Sequence, residues 1–156
     1  MIVLRRKIAE ELIKLEELVN RVNRLLLLIQ QNDDPIYLDG LMSGLALYVQ
    51  NFYTGVERVF ALIAKQIDGV TPSSADWHIQ LLGQLLVPVP NIRPAVISQD
   101  TYEQLNEFRG FRHVSRNLYA YDLDHQRIID LANKLIGCHQ IFMEDINKFD
   151  AFLANN

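Results

Sequence analysis

A chain of 156 residues with a formal charge of −4 carries no global basic field, so any polyanion site must be a local basic patch. Hydrophobic residues make up 49% and charged residues 22%, a globular balance that excludes a disordered chain. Cys138 is the only cysteine, which excludes an intramolecular disulfide and a thiolate metal cage and fits a reducing compartment.

The elements follow in chain order. MIVLRRKIAEEL interrupts its apolar residues with charge after four positions, so no signal-peptide core is expected. The apolar run Leu25 to Ile29 is far short of the roughly 20 residues a membrane span needs. The expected location is the cytoplasm, with no membrane contact. Ile8, Leu12, Leu15, Val19, Val22, Leu26 and Ile29 recur in steps of four and three, the period of a long helix with one buried seam. Leu18, Leu25 and Leu28 widen its apolar surface, either for a second copy of the chain or for the monomer's own core. Asn32-Asp33-Asp34-Pro35 ends this helix, and a second runs from about Leu38 to Ile67, with Asp68-Gly69 as its C-cap.

Thr71-Pro72-Ser73-Ser74 signals a turn and cap before a short third helix from about Ala75 to Leu86. Val87 to Pro94 holds three of the five prolines and is expected to be an extended loop. Ser98 can cap a fourth helix reaching about Leu118. Asp122 to Asp124 opens a fifth, striped by Ile128, Leu131, Leu135, Phe142, Ile146, Phe149 and Phe152. Asp124 is expected to serve as its N-cap, a better fit than a metal pair with Asp122. No segment alternates as a strand would, and no repeat or linker divides the chain. The expectation is therefore all-α, an antiparallel bundle of about five helices forming one domain over residues 1–156.

Most enzyme signatures are missing, including phosphate loops, G-x-S-x-G and H-E-x-x-H. His78, His113, His125 and His139 never fall three or four apart, so helical metal chelation has no geometry and no metal or cofactor is expected. Trp77 reads as core anchorage, with His78 beside it able to approach a site. One window stands apart: Phe108 to Tyr121, FRGFRHVSRNLYAY, carries Arg109, Arg112, Arg116 and His113 with no acid. In a helix, Arg112, Arg116 and Tyr119 lie at i, i+4 and i+7 on one face. Two guanidinium groups side by side suit a phosphate between them. Spacing alone leaves another role open, in which the arginines pair with acids of neighbouring helices such as Glu57, Glu103 or Glu107.

The stretch FRHVSRNLYAYDLD resembles the motif region of HepT-like members of the HEPN family, whose fourth-helix signature is Arg, a polar residue, three variable positions, then His-x-Tyr. Arg112, His113 and Tyr119 match the Arg, the polar residue and the Tyr. Asn51 to Leu82 and Arg93 to Ser98 are similar to the same bacterial subgroup. The resemblance implies a helical bundle, commonly a homodimer, and a metal-independent ribonuclease toxin paired with an MNT-type nucleotidyltransferase antitoxin. It further implies that Arg112 holds the scissile phosphate and that the partner can attach AMP to Tyr119, provided Tyr119 is not packed into the core. Asn117 stands where the signature has its His. An amide hydrogen-bonds but exchanges no proton near neutral pH. His113 is the substitute in sequence, although it points about 100° around the helix from Arg112, and a capping or packing role is open to it as well. Three functions follow: a ribonuclease acting through Arg112, His113 and the degenerate Asn117 position; an inactive relative binding RNA, nucleotide or the nucleotidyltransferase through Arg109, Arg112 and Arg116; or a structural scaffold.

Overall fold

A computed structural model describes residues 1–156, the side chain of Ala120 apart, and its described residues form five helices and no strand. They are α1 (Ile2–Gln31), α2 (Pro35–Ile63), α3 (Trp77–Leu86), α4 (Gln99–Ser115) and α5 (His125–Ala154). The all-helical bundle expected from the periodicity is the observed architecture. Leu4, Ile8, Leu15, Val19, Val22 and Leu26 form the buried seam of α1. Leu18 and Leu25 are half-buried and pack on the same core.

α2 is the central helix. Phe52, Tyr53, Val56, Val59, Phe60 and Ile63 are fully buried, because neighbours cover it on most sides. It begins at Pro35, three residues before Leu38. Asp34 accepts the amides of Ile36 and Tyr37, and proline at the first helical position loses nothing by lacking an N–H. At its far end the backbone opens into one wide π turn, Ala64–Asp68, closed by Gly69 at φ 70°, where glycine avoids the Cβ penalty.

The proline-rich crossing is more compact than an extended loop. Val89 and Arg93 exchange backbone hydrogen bonds around Asn91, which takes φ 62°. The turn drives Arg93 inward until its side chain is 0% exposed. Arg93 donates to both carboxylate oxygens of Asp68 at 2.6 and 2.7 Å and to the carbonyls of Gln84, Val87 and Pro94. A fully buried guanidinium is tolerated only when its donors are met in this way.

Ser98 caps α4 by accepting the amide of Thr101. The buried Asp145 of α5 accepts from the Ser98 amide and from the hydroxyls of Ser98 and Thr101, so the start of α4 is fastened to α5. α4 stops at Ser115, not at Leu118. Arg116 is its C-cap, and the chain turns before a single 3-10 turn, Ala120–Asp122. Asp124 then caps α5 through the amides of Gln126 and Arg127, the role expected of it. Arg5 and Asp150 pair twice at 2.7 Å, tying the start of α1 to the end of α5. No described helix is long and apolar enough to cross a membrane.

Candidate functional site

Three helices contribute one polar cluster. Thr54 and Glu57 sit three residues apart on α2 and therefore share a face. Glu57 is only 5% exposed. A carboxylate so far from water is costly unless it is paired and hydrogen-bonded. Two partners meet it: Nδ1 of His78 from α3 lies within hydrogen-bond reach of Oε2, and Nη1 of Arg112 from α4 lies 3.6 Å from Oε1. Arg112 also donates from Nε to the hydroxyl of Thr54 at 2.9 Å. That hydroxyl is itself fixed, since it donates to the Gln50 carbonyl at 3.2 Å. The Trp77 ring lies over the His78 imidazole, centroids 3.5 Å apart, and fixes the plane of the ring.

Of the acids considered as partners for the motif arginines, Glu57 receives Arg112. Glu103 accepts from the Gln99 amide. Glu107 holds Arg127 at 2.9 Å and Lys134 at 3.1 Å; burial favours its neutral form, but hydrogen bonds and charge from those cations outweigh that and lower its pKa. Neither terminal nitrogen of Arg112 makes a hydrogen bond among the described residues, and its side chain remains 23% exposed.

The other predicted residues do not join the cluster. Arg109 donates to the Asn106 side chain at 2.9 Å. His113 and Arg116 are exposed. Asn117 is exposed, and its side-chain amide donates to the His113 carbonyl at 3.3 Å, holding down the frayed end of α4. Tyr119 lies beyond the helix, so it does not share a helical face with Arg112. It is 72% exposed, not packed into the core, and stacks on Tyr121 with centroids 5.5 Å apart.

One turn before Glu57, the Tyr53 hydroxyl is buried without a hydrogen-bond partner. Burial, reinforced by the Glu57 charge, raises its pKa well above the ordinary phenol value, against a smaller opposite pull from Arg109 and Arg112. Tyr53 is therefore a neutral phenol and no base. Elsewhere, burial raises the pKa of the Cys138 thiol to about 12 and lowers that of His139. Among the described residues no group of three His, Cys, Asp or Glu side chains is placed to hold a metal ion.

His78 was the residue whose place sequence reasoning could not assign. Its partner lies 21 positions away on another helix, beyond the reach of local spacing rules. The one available signal was a Trp-His pair opening a short helix.

A protein-family model described as HepT-like protein matches residues 44–153, well over half of the chain. No curated protein and no solved structure matches it.

Proposed function

The chain belongs to the HepT-like family, and on that premise we propose that it is a metal-independent endoribonuclease of the HEPN toxin type in which Arg112 holds the scissile phosphate. The observation that carries this reading is the state of Arg112. Thr54 accepts from its Nε and the Glu57 charge lies 3.6 Å from Nη1, while neither terminal nitrogen makes a hydrogen bond among the described residues. A guanidinium held rigid with a free donor is prepared for a phosphate oxygen. Arg109 and the exposed Arg116 add positive charge for flanking phosphates. No cofactor is required.

On the same reading an MNT-type nucleotidyltransferase is the silencing partner and Tyr119 its target. The exposed phenol oxygen attacks the α-phosphorus of ATP, pyrophosphate leaves, and the phenolic proton passes to solvent. The added phosphate charge and bulky base then obstruct the arginine-lined surface. The partner and ATP should add one AMP mass to wild type and none to Tyr119→Phe, and equal labelling of the two would exclude Tyr119 as the sole target.

A second reading is favoured by Asn117, whose amide caps the helix end and exchanges no proton: an inactive relative that binds RNA, nucleotide or the nucleotidyltransferase. Incubation of RNA in chelator separates the two. The expected result is weak cleavage by wild type, lost in Arg112→Ala and raised in Asn117→His. A silent wild type with an active Asn117→His supports the binding protein. Folded, silent proteins that bind neither RNA nor nucleotide would remove both readings.

A further inference from the structure

The His78–Glu57 pair has no part in the motif through which the ribonuclease reading was reached, yet it abuts the residue that reading depends on. A carboxylate only accepts hydrogen bonds, so the contact with Glu57 requires the proton of a neutral imidazole to sit on Nδ1. Nε2 is then the ring's lone-pair atom. It makes no hydrogen bond among the described residues and is not among the buried unpaired atoms. Trp77 restrains the ring from one face. A carboxylate-oriented imidazole with its far nitrogen open is the arrangement that general-base chemistry uses. Here it shares its carboxylate with a guanidinium that still has a donor to offer.

We infer that His78, oriented by Glu57, is the group that takes the proton from the ribose 2′-hydroxyl while Arg112 holds the adjoining phosphate. This rests on the ribonuclease reading and supplies the imidazole that Asn117 lacks. The 2′-oxygen forms its bond to phosphorus as its proton passes to Nε2 of His78, and the bond from phosphorus to the 5′-oxygen breaks. The departing oxygen takes a proton from water, and His78 later returns its own to solvent. The products are a 2′,3′-cyclic phosphate and a 5′-hydroxyl, with no change in oxidation state. Glu57 is a positioning residue: it sets the tautomer and offsets the charge of the imidazolium. Of the charged and titratable groups on the surrounding helices, Arg112 on α4 meets Glu57 and Tyr53 on α2 feels its charge, Arg109 on α4 acts on Tyr53, and Asp76 precedes the pair on α3. Asp76 is engaged by Ser74 and Gln80.

His78→Asn is the discriminating variant, because its amide nitrogen replaces Nδ1 as donor to Glu57 and only the proton-accepting nitrogen is lost. The expected result on a short RNA substrate is a fall of ~10²–10⁴ in kcat, the usual worth of a general base, with KM changed less than about threefold. The acid limb of the pH–rate profile should disappear from the residual activity. Free imidazole should partly restore cleavage to His78→Ala. Where His78→Asn fails to fold by circular dichroism, the double variant Glu57→Gln/His78→Asn removes the buried charge with the ring and replaces it in the assay. A folded His78→Asn that cleaves like wild type, or loss of cleavage in His113→Ala alone, overturns the proposal and leaves the ribonuclease reading standing. A wild type that never cleaves overturns both.

Discussion

At the scale of single residues, buried polar groups separate into satisfied and unsatisfied ones, and the two respond to substitution in opposite ways. Arg93 belongs to the first kind. Its removal leaves the Asp68 carboxylate, 5% exposed, without a counter-charge and with the Gln84 amide as its remaining donor, and it takes the donor from three carbonyls. Arg93→Ala should therefore cost about 3–5 kcal/mol, measured by denaturant unfolding, and a cost under ~1 kcal/mol would show the pin to be dispensable. Burial alone would raise the Asp68 pKa, but hydrogen bonds from Arg93 and Gln84 prevail and its pKa is lowered. The stability this carboxylate contributes is complete above the unfolded value of about 3.9 and is lost as pH falls through the lower folded value. The acid unfolding midpoint should consequently move upward in Arg93→Ala. Tyr53 is of the second kind. Its hydroxyl is buried without a partner, so Tyr53→Phe removes an uncompensated polar group and should leave stability unchanged or raise it by up to about 1 kcal/mol. A loss of more than that in a thermal melt would mean that the phenol is bonded after all.

Among the elements, what could be foreseen was what local spacing encodes. The seam of α1, the left-handed glycine after α2 and the caps at Ser98 and Asp124 are written within four residues of where they act. The late stop assigned to α4 has a physical reason: nothing in the residue types between Ser115 and Leu118 forbids helix, and the end shows only in the hydrogen bonds, where the amides of Asn117 and Leu118 reach back three residues to Val114 and Ser115. Arg93 and His78 were opaque because their partners lie 25 and 21 positions away. Glu57, by contrast, could be named among the partners of the motif arginines because acids are few enough to enumerate. The fastening of α4 to α5 also spans a long separation, 47 positions from Ser98 to Asp145. Asp145→Ala removes three hydrogen bonds to a buried charge and should cost about 2–4 kcal/mol. Asp145→Asn should cost less, since its carbonyl still accepts. If the alanine variant melts with wild type, the cap contributes nothing.

For the molecule as a whole, we propose a homodimer formed through the end of α4. Val114 and Leu118 are exposed at the end of α4 and just past it, beside Arg116. A biological interface there should bury more than ~1,000 Å². Light scattering at micromolar concentration should give twice the monomer mass, and Leu118→Asp should return it to the monomer; a wild-type monomer would argue against the arrangement. The attachment of α3 carries a consequence for motion. Its C-terminal carbonyls are held on every side, Gln84 and Val87 by Arg93 and Leu85 by the amides of Val96 and Ile97. Its N-cap, Asp76, makes no side-chain capping bond. The helix is thus clamped at one end through its backbone carbonyls and held at the other by side chains, His78 on Glu57 and Trp77 on the core. Local opening should begin at Trp77 and die out toward Leu86. Amide hydrogen exchange should reveal this as a gradient, faster at Gln80 than at Leu85, and Arg93→Ala should flatten it. Even protection along α3 in wild type would contradict it. RNA binding should slow exchange chiefly at the N-terminal end, because a substrate seated on Arg112 and His78 adds contacts where the fold relies on side chains and not on held carbonyls.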